Sequence, residues 1–193
     1  MITELIGLPG VGKTFLAHNL TTKHDICIIN ISNNFERYLY GFLFTLLHPI
    51  TTVSLVKITI SETPRQNLQL LKHKLLKPML KAMAIEQKAR LTFGNVIVDE
   101  GIFQYITFSI FERRIEKQTL SKLVPKLNLT ERSIILVKAS NSDHQARIKK
   151  RGSFCRDKLG EKYVEEWKQI LIDNSKEIER FIIEQPNIKI VVV

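Results

Sequence analysis

Residues 7 to 14 read Gly7-Leu-Pro-Gly-Val-Gly-Lys-Thr14, which matches the phosphate-binding P-loop pattern G-x-x-x-x-G-K-[ST] at every fixed position. Residues 1–6 before it are mostly apolar and predict a short strand, and residues 15–20 after it predict the first turns of a helix. In this strand–loop–helix setting, Gly10 and Gly12 let the backbone curl so that N–H groups point at phosphate oxygens. The stretch therefore predicts an α/β fold that binds nucleotide phosphates.

The side chains of this loop divide the expected phosphate chemistry between a cation and a hydroxyl. Lys13 is expected to reach the β- and γ-phosphates of ATP, and the Thr14 hydroxyl is expected to ligate Mg²⁺. The helix that follows adds the positive end of its dipole. The other predicted phosphate-binding residues shape the backbone around the phosphates, and they are Gly7, Pro9, Gly10, Val11 and Gly12. The loop therefore predicts ATP and Mg²⁺ as cofactors.

Composition indicates one globular domain with a basic surface. The 193 residues suffice for one sizeable core, and 29 Lys and Arg against 19 Asp and Glu give a net charge of +10. Such a balance suits nucleotide phosphates, nucleic acid or an anionic membrane surface, and a merely solvated basic surface is an equal alternative. The two cysteines are too few for a disulfide scaffold, and Cys27, within an apolar run, is expected to be buried.

One uncharged stretch has to be weighed as a membrane span. Residues 38–56 contain no Asp, Glu, Lys or Arg, but His48 and Pro49 divide them into two short halves. We interpret the stretch as buried or interfacial and expect no membrane span. Because the P-loop takes the place of a signal peptide at the amino terminus, we expect a cytoplasmic protein, where ATP and Mg²⁺ are available.

Short apolar runs alternate with helical patterns along the chain. Beyond the first strand, further strands are predicted at residues 26–31, 95–99, 133–137 and 188–193. Helices are predicted at residues 35–47, 64–90 with a break at Pro78, 101–117 and 161–184, while residues 53–60 fit either type of element. Five short strands separated by helices favour a parallel sheet covered on both faces, whose ligands bind at the carboxyl ends of the strands.

Two acids end the predicted strand at 95–99, at the sheet edge where the P-loop is expected. Asp99 stands where P-loop proteins place the carboxylate that holds Mg²⁺ or accepts a proton from the attacking hydroxyl. Glu100 follows directly, and a Glu in this place often positions the hydrolytic water of ATPases. We therefore assign Asp99 to the metal together with Thr14, and count both acids as catalytic candidates. The alternative for each acid is a solvated carboxylate in a turn, and this alternative is stronger for Glu100 than for Asp99.

A basic helix is predicted around residues 142–152. Arg147 and Arg151 lie four residues apart and therefore share one face of it. Arginines on such a helix stabilise the charge of a phosphoryl group during transfer, and they close over the site as a lid that excludes water. We count both as catalytic candidates, with a solvated basic helix as the alternative.

The order of these motifs resembles the nucleoside and nucleoside-monophosphate kinases. The match consists of the P-loop at the amino terminus, the strand ending in Val98-Asp-Glu-Gly101, and the Arg147-x-x-x-Arg151 lid before a long helix and a last strand. The resemblance implies a three-layer α/β/α P-loop fold whose five-stranded parallel sheet has the order 2-3-1-4-5. It also implies one domain over residues 1–193, with an acceptor-side insertion at about 33–92 and a lid at about 141–158.

Two departures from this family concern the catalytic segment and the nucleotide base. The Asp-Arg pair that thymidylate kinases have after the third strand is replaced by Asp99-Glu100-Gly101. Because the predicted fifth strand runs to Val193, we expect no adenine-holding loop after it. Residues 33–90 match no motif of the family, so the acceptor is left open. Arg37 and Arg65 are candidates to hold an acceptor phosphate, with plain surface charge as the favoured alternative.

The sequence therefore predicts an ATP-dependent phosphotransferase of the nucleotide or nucleoside kinase type, which transfers the γ-phosphate to a small acceptor. The alternative is a P-loop ATPase acting as a switch or a nucleic-acid-associated factor, favoured by the Asp99-Glu100 pair and the charge of +10. In a third interpretation the chain is a non-catalytic nucleotide-binding module and residues 35–47 form a homodimer face, although a core helix explains that segment more simply. Expected partners are ATP and a nucleoside or nucleotide acceptor, with nucleic acid less favoured.

Overall fold

The structure is a computed structural model that describes residues 1–8, 10–23, 26–63, 68–126, 132–138 and 160–184. Several predicted features lie outside the described residues. They are Pro9, Arg65, the lid with Arg147 and Arg151, and the fifth strand at 188–193. The described part is an α/β fold built on a parallel sheet.

Four parallel strands form the described sheet, and they are β1 Ile2–Ile6, β2 Cys27–Ile29, β3 Val96–Val98 and β4 Ser133–Leu136. Their spatial order is β2-β3-β1-β4. This order agrees with the first four strands of the predicted 2-3-1-4-5 sheet, and the fifth strand stays a prediction. The expectation for Cys27 was wrong, since this residue begins an edge strand and is exposed.

The described helices are α1 Lys13–Lys23, α2 Asn34–Leu47, α3 Pro49–Ser61, α4 Leu68–Lys74, α5 Leu80–Leu91, α6 Ile102–Phe108, α7 Lys117–Lys126 and α8 Glu161–Ile183. The ambiguous residues 53–60 are helical and belong to α3. The predicted break at Pro78 is confirmed as a π-helical turn, Leu75–Met79, between α4 and α5. Proline causes such a turn because it lacks the N–H that an α-helix needs.

Both faces of the sheet are covered by helices. Because successive residues of a strand point to opposite sides of the sheet, neighbouring residues of β1 pack against different helices. Leu5 of β1 belongs to an apolar cluster with Ala17 of α1. Its neighbour Ile6 belongs to the largest cluster, which includes Phe103 of α6 and Phe181 of α8. The predicted covering on both faces is confirmed, and the carboxyl ends of β1 and β3 open at one shared edge.

The predicted helix at 101–117 was too long, since α6 ends at Phe108. After Phe108, side chains from other elements form hydrogen bonds with backbone groups of the chain. Lys74 Nζ donates to Ile110 O at 2.7 Å, and Asn174 Oδ1 accepts from Ile115 N at 2.8 Å. Because these groups are satisfied without helical hydrogen bonds, Ile110 and Ile115 can enter the core through an irregular segment.

Helix α2 is only partly a core helix. Gly41 and Phe44 are buried on the side that packs against α5. The opposite side exposes apolar side chains, namely Phe35, Tyr38, Leu39, Phe42 and Leu46, and we call this set the outer face of α2. No single described helix is long and apolar enough to cross a membrane. Helices α2 and α3 reach that length and composition only as a pair, which is bent by 110°.

Candidate active site

The P-loop joins β1 to α1 at the carboxyl edge of the sheet. Gly10 and Gly12 have φ angles of 90° and 100°, in the left-handed region that glycine adopts readily. Val11 between them is buried in the cluster that contains Leu5, which ties the loop to the sheet. Helix α1 begins at Lys13, directly after the loop. The predicted strand–loop–helix arrangement is confirmed.

Thr14 and Asp99 meet at this edge, although they lie 85 residues apart in sequence. Thr14 Oγ1 donates to Asp99 Oδ2 at 2.5 Å. The other carboxylate oxygen, Asp99 Oδ1, is buried and has no hydrogen-bond partner among the described residues. Leaving a buried carboxylate oxygen without a partner is costly, so this atom marks a place that a cation or a water completes.

These oxygens fit a magnesium ion that is shared with a nucleotide. Mg²⁺ prefers hydroxyl, carboxylate, water and phosphate oxygens, and it is commonly held by only one or two carboxylates together with phosphates. Within the described ranges, no three His, Cys, Asp or Glu side chains form a group that could hold a metal on its own. The set of Thr14 and Asp99 therefore suits Mg²⁺ only when phosphate oxygens complete its coordination.

Lys13 folds back over its own loop. Its Nζ donates to Gly7 O at 3.0 Å and to Leu8 O at 3.3 Å. A phosphate oxygen carries formal charge and forms a stronger hydrogen bond with an ammonium than these neutral carbonyls do. The arrangement keeps the cation at the loop, where such an oxygen can replace a carbonyl as its partner.

Glu100 has different surroundings from Asp99. Its carboxylate is 54% exposed and forms an ion pair with Lys81 of α5. Such an exposed pair contributes little to stability. It does place a carboxylate and a cation beside the carboxyl end of β3, and Lys81 belongs to the acceptor-side insertion expected at about 33–92.

Gln104 of α6 clamps the first residue of the P-loop. Its Oε1 accepts from Gly7 N at 3.0 Å, and its Nε2 donates to Gly7 O at 3.1 Å. Helix α6 starts three residues after Asp99, so one short segment supplies a carboxylate to the site and an amide to the loop. The two backbone segments that form the site are thereby joined through one side chain.

A buried ionic network lies beneath this clamp. Glu4 of β1 accepts from Gln104 N at 2.7 Å through Oε1, and from Arg132 Nη1 at 2.7 Å through Oε2. Arg132 also donates to both carboxylate oxygens of Glu86, at 2.9 and 3.1 Å, and Glu86 accepts from Arg90 Nε at 2.8 Å. We call the buried residues Glu4, Glu86, Gln104 and Arg132 the P-loop floor.

The two carboxyl groups of the P-loop floor differ in their ionisation. Burial raises the pKa of Glu4, against the lowering influence of Arg132. Burial acts in the same direction on Glu86, but Arg132 and Arg90 together hold the pKa of Glu86 below its ordinary value. Burial opposes the charge of Arg132, while Glu86 and Glu4 raise its pKa. Glu86 is therefore the more firmly ionised carboxylate.

Gly101 is explained by the same network. It is the N-cap of α6, and glycine has no side chain with which to cap the helix. A Cβ at this position would lie 2.5 Å from Glu4 Cδ and 2.6 Å from Glu4 Oε1. The Glu4 carboxylate accepts a hydrogen bond from the N–H of Gln104, the third residue of α6. Glu4 of β1 therefore caps this helix in place of an N-cap side chain.

Sequence reasoning missed the P-loop floor, although two signals were present. Glu4 interrupts the apolar run of β1, and Arg132 directly precedes β4, whose residues 134–136 are apolar. Charged residues are rarely buried, and those that are buried are paired. The pattern could therefore have indicated a buried ion pair, but not which residues form it.

The remaining predicted residues are distributed unevenly. Arg147, Arg151, Arg65 and Pro9 lie outside the described residues, so their roles stay predictions. Arg37 lies in the first turns of α2, which follows β2, and its buried Nε has no hydrogen-bond partner in the described part of the chain. An unpartnered guanidinium nitrogen is costly to bury, so Arg37 is kept as a candidate ligand for an acceptor anion.

Comparisons with known proteins identify similar folds only. No family model matches the chain, and no curated protein matches it. Among solved structures, deoxyadenosine kinase from M. mycoides with bound dATP is 15% identical, with a TM-score of 0.51, over 100% of this chain and 90% of that chain. The same enzyme with products dCMP and a flexible dCDP bound is 16% identical, with a TM-score of 0.53, over 99% and 90%. Its complex with dCTP is 15% identical, with a TM-score of 0.50, over 100% and 89%. The resemblance to nucleoside kinases is thus confirmed as a resemblance of fold, and the chain has an α/β P-loop kinase fold.

Proposed function

We propose that the protein is an ATP-dependent phosphotransferase of the nucleotide or nucleoside kinase type. The proposal rests most on one observation, the 2.5 Å hydrogen bond between Thr14 and Asp99 with a buried, unpartnered Asp99 Oδ1 beside the P-loop. A hydroxyl and a carboxylate held together at this edge would suit a Mg²⁺ ion that accompanies nucleotide phosphates. Bound there, Mg²⁺ would neutralise charge on the β- and γ-phosphates.

In this proposal each residue of the site has a distinct role. Lys13 binds the β- and γ-phosphates, and the backbone of the loop surrounds them. Thr14 and Asp99 hold the ion, while Asp99 or Glu100 accepts the proton of the acceptor hydroxyl. Arg147 and Arg151 act as lid arginines on the transferred group.

The acceptor is proposed to be a nucleoside or a nucleotide. The support is the fold shared with a deoxyadenosine kinase whose structures hold dATP, dCTP and dCMP. Arg37 is the proposed contact to an anionic group of the acceptor, because its buried Nε has no partner among the described side chains and backbone groups. Replacing Arg37 by Met should raise the KM for a nucleotide acceptor and leave the KM for ATP unchanged. Lys57→Met, at an exposed position of α3, is the matched control.

The direct test measures phosphoryl transfer from ATP and Mg²⁺ to a panel of nucleosides, nucleotides and small alcohols. We expect transfer to at least one nucleoside or nucleotide, and a loss of about 100-fold or more in Asp99→Asn. Asp173→Asn on α8, which alters the ion pair of Asp173 with Arg114, should leave the rate unchanged. Steady ATP hydrolysis without transfer to any acceptor would contradict the proposal.

The competing function is a P-loop ATPase that acts as a switch or with nucleic acid. It is favoured by Glu100 directly after Asp99 and by the net charge of +10. Glu100→Gln separates an ATPase that uses Glu100 from a kinase that uses Asp99, because the ATPase loses turnover by orders of magnitude. A kinase that uses Asp99 keeps most of its rate in this variant.

A homodimer is part of the proposal, with the outer face of α2 as its surface. Phe35, Leu39, Phe42 and Leu46 are spaced by four, three and four residues, which is the spacing of a helix–helix seam. The aromatic side chains of this face alone expose on the order of 400 Å², and the leucines extend it to the size of an interaction site. Light scattering tests whether the chain is a dimer that Phe42→Glu converts to a monomer.

The remaining predictions complete the proposal. The chain is treated as one kinase-like domain over residues 1–193, with the acceptor-side insertion at about 33–92 and the lid at about 141–158. A cytoplasmic location stays a prediction, to be checked by locating the tagged protein in fractionated cells.

A further inference from the structure

The P-loop floor lies where it can hold the P-loop backbone in place before phosphate binds. A P-loop binds phosphate through its backbone N–H groups, so the backbone must be held in one conformation before the ligand arrives. Gly7 starts this loop, and both of its backbone polar groups are bonded to the Gln104 amide, at 3.0 and 3.1 Å. The same Gly7 oxygen also accepts from Lys13 Nζ, so the clamp and the phosphate-binding cation share an atom.

The Gln104 clamp is itself held from below. Glu4 Oε1 accepts from Gln104 N at 2.7 Å, and Glu4 Oε2 is bound by Arg132, which two carboxylates hold in place. The side chains of Gln104, Glu4, Arg132 and Glu86 are all buried. Both carboxylates are paired with Arg132, and Gln104 is hydrogen-bonded to Glu4 and Gly7. A buried and fully paired network has few alternative arrangements, so it fixes the position of α6 against β1.

We propose that Gln104 and Glu4 are positioning residues for the P-loop, with Gln104 holding Gly7 in its phosphate-binding conformation and Glu4 holding Gln104. Only the expected effect on ATP binding rests on the proposed function. The effect on the Gly7 backbone exists without any nucleotide.

The first test is amide hydrogen exchange of Gly7 by NMR in the nucleotide-free protein. Gln104→Met keeps the volume of the side chain but loses both hydrogen bonds, so exchange at Gly7 should speed up at least tenfold. Gln87→Met is a matched control, because Gln87 is also a buried glutamine, 2% exposed against 9% for Gln104, and it lies on α5. The amide of Val98, in the middle of the sheet, should be equally protected in both variants. Unchanged exchange at Gly7 in Gln104→Met overturns the proposal.

The second test is ATP–Mg²⁺ binding measured by calorimetry. We expect Gln104→Met to weaken binding at least tenfold and Gln87→Met to leave it unchanged. If Gln104→Met does not fold, Gln104→Glu replaces it, since a carboxylate can accept from Gly7 N but cannot donate to Gly7 O. Equal losses in the Gln104 and Gln87 variants indicate general loosening and overturn the proposal. If the wild-type chain binds no ATP, the proposed function fails, and the exchange at Gly7 still decides this inference.

A double-mutant cycle tests the order of the two residues. If Glu4 acts through Gln104, then Glu4→Gln speeds exchange at Gly7 when Gln104 is present and adds nothing in the Gln104→Met background. Additive effects of the two substitutions show that Glu4 does not act through the clamp, and they overturn that half of the proposal.

Discussion

The P-loop floor and the outer face of α2 differ in both burial and polarity, since the floor is buried and polar while the outer face is exposed and apolar. In the floor, charged and polar side chains lie where an apolar core is normal, and each is bonded to another member. On α2, large apolar side chains lie where polar residues are normal, and Phe42 is 61% exposed while Phe44 on the same helix is 1% exposed. Buried polar groups fix geometry because leaving any of them unpaired is costly, whereas exposed apolar groups leave a surface open for a partner. We therefore associate the floor with the geometry of the candidate site, and the outer face of α2 with the proposed homodimer.

Breaking the floor at its central cation should have the largest effect. Arg132→Met leaves Glu4 buried without its cation and leaves Glu86 paired with Arg90 alone, and we expect the free energy of unfolding to fall by about 3–5 kcal/mol. Urea denaturation of this variant measures the loss. Arg180→Met, whose pair with Glu177 is exposed, should change stability by less than about 1 kcal/mol. Similar losses in the two variants would show that burial does not distinguish these ion pairs.

Crowding the floor should have the next largest effect. Gly101→Ala places a methyl group 2.5 Å from Glu4 Cδ, and overpacking of this kind costs about 1–3 kcal/mol. Gly94→Ala is the control, because its Cβ would meet no atom within 4 Å, so only the strain of its positive φ is added. Thermal unfolding of both variants compares the two costs. A smaller loss in Gly101→Ala than in Gly94→Ala would contradict the close approach of Glu4.

The floor should also contribute a pH dependence that the outer face of α2 lacks. The pKa of Glu86 is lowered from its ordinary 4.5, so its contribution to stability is complete above that pH and is lost as the pH falls through the folded-state pKa. Glu86→Gln should therefore flatten the decline of the free energy of unfolding between about pH 5 and pH 3. Glu165→Gln, at an exposed position of α8, should leave the decline as it is in the wild-type chain. An identical acid decline in wild type and Glu86→Gln would refute the assignment.

The outer face of α2 should show the smallest effect on stability and a clear effect on assembly. Phe42→Glu should change the free energy of unfolding of the monomer by about 0.5 kcal/mol or less, because the side chain is already in water. Phe44→Ala, two residues away, should cost about 3–5 kcal/mol. Light scattering of the Phe42 variant then reports only the effect on the dimer, and a large loss of monomer stability would show that the outer face is part of the fold.

Local sequence patterns were enough to predict several elements of the fold. Residues 7–14 fixed the strand–loop–helix unit, because glycine conformation and phosphate chemistry are encoded within a few consecutive positions. Apolar runs marked β3 and β4, and the apolar repeat along α8 marked that helix almost to its ends. Asp99 was assigned to the site because an acid at the end of a buried strand has a meaning beside a P-loop.

Contacts between distant side chains became known from the three-dimensional fold. The helix predicted at 101–117 ends at Phe108, because Lys74 and Asn174 supply hydrogen bonds that no local pattern reveals. Glu4 and Arg132 are 128 residues apart, and Gly7 and Gln104 are 97 apart, so the P-loop floor exists only once the sheet has assembled. The physical reason is that a buried charge requires a partner, and the sequence states this requirement without stating which residue meets it.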